Sequence, residues 1–228
     1  MTTETAWRKQ PVAVLVSGGL DSAILVGELA QSSPRVHPVY VHFGLVWELA
    51  EEQRLRKFLA ALAAPNVAPL KVFHSPLDAV YGRHWSTTGR DTPGYDTADE
   101  AVFLPGRNLL LCTQAGVWCH LQQIPVLALG ILAGNPFPDS TAEYFRDLAG
   151  VINTAVGSQL QIVCPYQQLN KVQVLRRGGG FPLAETMSCM HPEQDLHCGR
   201  CNKCAERQRA FRAAEIPDPT RYATDPTP

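Results

Sequence analysis

Val12-Ala13-Val14-Leu15-Val16-Ser17-Gly18-Gly19-Leu20-Asp21-Ser22 is the stretch on which the fold turns. Its first five residues make a short, β-branched, apolar run, the pattern of a strand buried on both faces of a parallel sheet. The run breaks at Ser17-Gly18-Gly19, and a helical stretch over 22–30 follows. A glycine turn between strand and helix lets backbone amides approach an anion closely, and the helix start adds positive dipole. Ser17 and Ser22 add hydroxyls, so the turn reads as a phosphate site. It is not the common P-loop, because no lysine follows the glycines. Nor does it have the Gly-x-Gly-x-x-Gly spacing of dinucleotide folds.

The same rhythm continues outward from this turn. Apolar runs at 36–41, 70–73, 126–129 and 160–163 read as further strands. Helical patterns over 47–64, 107–122, 141–156 and 170–176 alternate with them, and the helix at 107–122 reads as buried. In the helix at 47–64, Leu55, Phe58, Leu59 and Leu62 fall at helical spacing. Alternating strands and helices predict a doubly wound parallel sheet, an α/β fold with helices on both faces. Residues 75–101 have no clean period and are rich in Gly, Thr, Asp and aromatics, which suits a functional loop or a partly mobile one. Beyond Gly180 the rhythm stops, so a nucleotide-binding domain over 1–180 and a small C-terminal segment over 181–228 are expected. That segment carries four cysteines, a helix over 204–214 and a polar, proline-rich tail after Thr220 that is expected to be unstructured.

At 228 residues and 45 % hydrophobic, the chain can bury a sizeable core. Its 20 Lys+Arg against 21 Asp+Glu advertise no polyanionic partner. The early apolar run is too short for a secretion signal or a membrane span, so the expected location is the cytoplasm. In that reducing compartment seven cysteines point to metal ligation or free thiols rather than disulfides.

Cys189, Cys198, Cys201 and Cys204 converge within a short segment, and Gly199 permits the tight turn a metal knuckle needs. Four thiolates suit tetrahedral Zn²⁺ at about 2.3 Å per bond, in a closed and therefore structural site. An iron–sulfur cluster or a redox pair remains open on spacing alone. His191 and His197 flank the knuckle, although four cysteines already complete a shell; His197 reads as exposed or as packed behind the ligands. Cys112, Cys119 and Cys164 read as core thiols. Arg200, Lys203, Arg207, Arg209 and Arg212 read as a solvated helix face rather than a nucleic-acid patch.

Ser-Gly-Gly-x-Asp-Ser resembles the pyrophosphatase (PP-loop) family of ATP users, in which ATP splits into AMP and pyrophosphate. With the cysteine knuckle added, the chain resembles the 7-cyano-7-deazaguanine synthase family. Further matches are Phe103-Leu104-Pro105-Gly106-Arg107-Asn108, Pro138-Asp139 followed by Glu143-Tyr144-Phe145, Pro165 followed by Lys171, Thr186-Met187-Ser188-Cys189, and Asp218-Pro219-Thr220 with Tyr222. Together they span about residues 12 to 222. Two stretches depart from the family. Gly44-Leu45-Val46-Trp47 stands where a Gly-Gln-Arg-His string is usual, and Ala133-Gly134-Asn135-Pro136-Phe137 replaces an acidic-aromatic string.

The resemblance implies an ATP-dependent ligase. It would adenylate 7-carboxy-7-deazaguanine, admit ammonia to form the amide, and activate that amide again to leave the nitrile. It implies ATP contacts from Val16, Ser17, Gly18, Gly19, Leu20, Asp21 and Ser22, with Asp21 near Mg²⁺. Arg107 reads as a phosphate clamp or a structural ion pair. Lys171 reads as a neutraliser of transition-state charge or part of a solvated face. Asp139 reads as a substrate or Mg²⁺ contact, or as the N-cap of the helix from Thr141. Rival readings are an adenylating enzyme for another carboxylate or a protein acceptor, a tRNA-modifying PP-loop enzyme, and an inactive regulator. Neither a membrane nor a nucleic-acid partner is expected, and a homodimer is compatible with the sequence.

Overall fold

The computed structural model describes residues 3–224; residues 225–228 of the expected tail lie outside that range. Five parallel strands form one sheet: β1 (Val12–Leu15), β2 (Val36–His42), β3 (Lys71–His74), β4 (Val126–Ala128) and β5 (Gln161–Val163), in the order β3-β2-β1-β4-β5. The central position of β1 follows from its composition. Val12, Val14 and Val16 pack into one core layer, while Ala13 and Leu15 point into the other. A strand with apolar residues on both faces is stable only with helices covering both.

On one face α1 (Leu20–Ser32) and α7 (Lys171–Arg177) cover the sheet, with the end of α8 (Asn202–Ala214) beside them. On the other lie α5 (Arg107–Leu121) and α6 (Ala142–Val156), together with the four knuckle cysteines. Helix α2 (Glu48–Leu62) follows β2. Local chemistry sets the helix ends. Thr141 Oγ1 accepts the Tyr144 amide N–H at 3.1 Å, and α6 ends at Gly157 with φ of 68°. Asn170 and Gln173 form a capping box at the start of α7.

The doubly wound α/β reading holds, and the strands and longer helices fall within a few residues of expectation. Three expectations change. Helix α5 is buried on one face only, through Cys112, Ala115, Gly116 and Cys119, while Leu109, Val117 and Leu121 are exposed. Residues 75–101 contain two single-turn helices, α3 (Asp78–Tyr81) and α4 (Trp85–Thr88), and dock on the C-terminal segment, where Gly94 bridges Cys201 and Asn202 Nδ2 donates to Thr97 O at 2.8 Å. The tail folds back as far as residue 224. Tyr222 packs on His197, and the Ala223 amide donates to His197 O at 2.8 Å. No helix among the described residues is long and apolar enough to cross a membrane.

The strand order reverses between β1 and β4, so the loops after these two strands diverge and leave a crevice at their C-terminal ends. Gly130 closes its floor: a Cβ there would lie 3.1 Å from the Asp21 carbonyl carbon. Gly18 is equally constrained, with φ of 73° and space for a Cβ only at 3.0 Å from Glu51 O. Gly18→Ala is therefore expected to cost about 1–2 kcal/mol or more of folding stability. Urea denaturation should show a lower midpoint with an unchanged slope.

Candidate functional site

The crevice is a cleft of about 280 Å³. Ser17, Gly19, Leu20 and Asp21 line it from the glycine loop, and Ile131, Asn135, Phe137 and Asp139 from the loop after β4. Helix α1 begins at the N-cap Gly19 with no side-chain cap, so its first amides face the cleft free to bind an anion. Ser22 does not line the cleft. Its Oγ accepts the Ser17 amide N–H at 3.1 Å and holds the loop shut from behind. Val16 and Gly18 also lie behind the lining, and Gly18 O accepts the Met187 amide N–H at 2.7 Å.

All four residues expected to act on charge reach this cleft. Lys171 Nζ lies 2.7 Å from Asp21 Oδ2 and 2.8 Å from Glu206 Oε1, so the solvated-face reading of Lys171 does not hold. Glu206 is shared in turn with Lys203, 2.6 Å away. Burial alone would lower the Lys171 pKa. Asp21 and Glu206 together overcome that and hold the ammonium above its ordinary range. Lys171, followed by Lys203, keeps the Glu206 carboxyl well below its own. Asp21 Oδ1 is buried with no hydrogen-bond partner among the described residues. Arg107 opens α5, and its Nε is likewise unpartnered. Asp139 caps α5 rather than the helix that follows it: its Oδ2 accepts the Asn108 amide N–H at 3.1 Å, and its backbone oxygen accepts from Asn108 Nδ2 at 2.9 Å.

Sequence reasoning missed several residues of this cleft. Glu51, in the first turn of α2, lines it beside Trp47 and Trp85. Burial pushes the Glu51 carboxyl up to about 8, against the opposing pull of Arg107 and of a 2.8 Å hydrogen bond from the Tyr40 hydroxyl, with Glu48 adding to the rise. Two acids at the start of a helix look like ordinary dipole partners in sequence, and only burial sets them apart. Lys203 and Arg207 read in sequence as part of a solvated face, yet both line the cleft, together with Glu206, and Arg207 is 1 % exposed. Arg200, Arg209 and Arg212 are exposed, as expected. The departures in sequence also acquire roles. Leu45 and Trp47 are buried, Trp47 stacks on Trp85 at 5.6 Å, and Phe137 stacks on Phe103 at 4.9 Å.

Beside the cleft, Cys189, Cys198, Cys201 and Cys204 bring their Sγ atoms within 4.8 Å of one another, all buried. Cys189 and Cys201 are 3.9 Å apart, as are Cys198 and Cys204. Four sulfurs each about 2.3 Å from one centre would stand about 3.8 Å apart at tetrahedral angles. The donor set can therefore hold one metal ion. Cys201 is the N-cap of α8 and Cys204 lies in its first turn, so the cluster fixes the helix that carries Lys203, Glu206 and Arg207. His197 is buried behind it, not exposed, and its Nε2 accepts the Ser188 amide N–H at 3.2 Å. Burial raises the thiols of Cys112, Cys119 and Cys164 far above neutrality, the latter two to about 12, which fits core thiols rather than nucleophiles.

A parallel sheet whose switch point carries a Ser-Gly-Gly-x-Asp-Ser loop, with a four-cysteine cluster alongside, defines a PP-loop protein. The family model for Queuosine biosynthesis protein QueC matches residues 11–215, and the chain belongs to that family. Relatives named 7-cyano-7-deazaguanine synthase include that of Rhizobium etli, 32 % identical over 92 % of this chain and 90 % of the relative. That of Nitrosospira multiformis is 29 % identical, covering 92 % and 94 %. That of Thiobacillus denitrificans is 30 % identical, covering 92 % and 97 %. Among solved structures, a 4-thiouridine synthetase–RNA complex with bound ATP is similar at a TM-score of 0.49 and 12 % identity, over 90 % of this chain and 50 % of that one. A predicted subunit of tRNA methyltransferase from Methanocaldococcus jannaschii reaches 0.46 and 19 %, over 73 % and 74 %.

Glu51 binds its proton more tightly folded than unfolded. Its contribution to stability is therefore complete below about pH 4.5 and is lost as pH rises through about 8. Urea titrations from pH 4 to 9 should show Glu51→Gln gaining on the parent chain as pH rises. The gain per pH unit across that window approaches about 1.4 kcal/mol at most.

Proposed function

We propose that this chain is an ATP-dependent carbon–nitrogen ligase that converts 7-carboxy-7-deazaguanine and ammonia to 7-cyano-7-deazaguanine, with AMP and pyrophosphate as nucleotide products. The observation that carries the reading is the convergence of the open α1 amides, Asp21, Arg107, Asp139 and Lys171 on one cleft that also has an aromatic lining. Residues 1–180 then form the nucleotide-binding unit and 181–228 the metal-binding segment.

A carboxylate is a poor electrophile, and linkage to AMP gives it a leaving group that ammonia can displace. Adenylation of the resulting amide oxygen, followed by loss of AMP, leaves the nitrile. The protein's share of this work is positioning and charge stabilisation. Amides at Gly19 and the start of α1 hold the departing pyrophosphate, joined by the hydroxyl of Ser17. Lys171 and Lys203 lie close enough to balance charge that develops on the phosphates, and Arg107 offers a guanidinium that forms no ion pair among the described residues. Asp139 acts through Asn108, fixing the start of α5 and hence the placing of Arg107. The unpartnered Oδ1 of Asp21 suits a hard cation such as Mg²⁺. When bound, that ion would neutralise phosphate charge. The thiolate set suits Zn²⁺, which would act structurally. Seven cysteines, none of them in a disulfide among the described residues, fit a reducing cytoplasm.

Incubation with ATP, ammonium and 7-carboxy-7-deazaguanine should yield AMP, pyrophosphate and the nitrile by mass spectrometry, with the amide transient. ADP as the first nucleotide product would refute the loop assignment. Asp21→Asn should lower turnover by about 10²–10³-fold with the fold intact.

Elemental analysis of purified protein should find a single zinc ion per chain. Cys201→Ser should lose that ion together with much of the thermal stability, because metal affinity here is folding free energy. Iron with sulfide, or a folded protein lacking metal, would count against the zinc assignment.

A further inference from the structure

Glu51 is held in a way that no loop-closing role explains. Its Oε2 accepts the hydroxyl of Tyr40, itself 2 % exposed, and this bond fixes the rotation of the carboxyl group. Among the described residues no donor lies within hydrogen-bonding distance of Oε1. The contrast with Glu48, one turn earlier, is informative. The Glu48 carboxyl takes the amides of Phe43, Gly44 and Leu45 at 2.8, 2.9 and 3.0 Å, and so is spent on the backbone. Glu51 faces the cleft instead, with Trp47 and Trp85 beside it. Those two indoles stack on one another with 20° between their planes, Trp47 buried and Trp85 partly exposed. An aromatic stack next to a carboxyl oxygen that faces the cleft is a site for a planar heterocycle with N–H groups along one edge.

We propose that Glu51 sets specificity for the acceptor, accepting hydrogen bonds from the ring N–H and exocyclic amino group of a guanine-like ring that lies against the Trp47–Trp85 stack. The inference rests on the ligase reading above and names the residue that selects its substrate. A guanine-type edge offers two adjacent donors, which a carboxylate matches; their approach favours the ionised form, so binding of the ring releases to solvent the proton that burial otherwise holds on Glu51. Adenine offers one donor beside one acceptor, a poorer match. In a 7-deazaguanine the 7-substituent lies on the five-membered ring, away from that edge, so recognition by Glu51 leaves the reacting carboxylate free to face the phosphate-binding residues. The groups that surround Glu51 are Tyr40 from β2, Glu48 from its own helix and Arg107 from α5. The cleft thereby gains a ring-reading group although Leu45 and Trp47 stand where Gln and His are usual in the family.

Isothermal titration on the intact protein tests this with three ligands: 7-carboxy-7-deazaguanine, its analogue lacking the 2-amino group, and the non-cleavable nucleotide α,β-methylene-ATP. The parent chain should bind the acid about tenfold to a hundredfold more tightly than the 2-deamino analogue, the range of a hydrogen bond to a charged group. Glu51→Gln should erase most of that ratio and leave α,β-methylene-ATP binding unchanged. Trp85→Ala should weaken both rings alike and preserve the ratio. Equal binding of the two rings by the parent chain would overturn the proposal while turnover of the acid left the ligase reading intact. So would loss of nucleotide binding in Glu51→Gln with the ratio preserved, which would assign Glu51 to adenine. A parent chain that binds nucleotide but neither ring would remove both readings. The two-ring comparison on the parent chain stands whether or not the variant folds.

Discussion

One backbone hydrogen bond, from the Met187 amide to the carbonyl of Gly18, seats the C-terminal segment on the glycine loop. The left-handed backbone of Gly18 belongs to a loop that leaves its carbonyl to Met187 and the α1 amides to the cleft. From that anchor the chain enters the cysteine cluster, which starts α8 at Cys201. The helix delivers Lys203, Glu206 and Arg207 to the same cleft that the loop opens. The four-cysteine cluster and the glycine loop are therefore parts of one construction. A change at the cysteines is felt through the placing of charged side chains, not only through the stability of a remote appendage.

Charge in the cleft is arranged in two different ways. Asp21, Lys171, Glu206 and Lys203 form a chain of alternating sign, in which Asp21 and Glu206 favour the charged form of Lys171, and Lys171 and Lys203 that of Glu206. Such a chain keeps cations at hand without leaving any of them bare in a confined space. Glu51 lies outside the chain. It has a neutral hydroxyl for its bonded partner and only the field of Arg107 for a cation, so burial dominates and its carboxyl holds a proton near neutrality. Two acids of one cleft thus differ in charge state because of what surrounds them.

The sheet and its loop were legible because their signals are local. A β-branched run, a Ser-Gly-Gly break and helical spacing all lie within a few residues of one another, and the cysteines announce themselves by number and spacing. What could not be read depends on approach from afar. Lys203 and Arg207 sit on a helix whose sequence looks solvated, and only docking beside α7 and the loop turns them inward. Trp47 looked like a missing histidine, and its stacking on Trp85 comes from a segment without periodicity. Helix α5 looked buried because its outer positions Leu109, Val117 and Leu121 are as apolar as its inner ones, so period gave no contrast between faces. The tail read as loose from its prolines, yet Tyr222 finds the buried face of His197.

The cleft draws on segments far apart in the chain, on Ser17 to Asp21 and on Lys203 to Arg207. During synthesis the first βα unit emerges early and can fold with its neighbours. Its glycine loop nevertheless stays without its far wall until α8 has left the ribosome and started at Cys201. A nascent chain therefore passes through a stage with a formed sheet and an unfinished pocket. Gathering of the cysteines, support of the loop and arrival of the basic side chains of α8 then fall together.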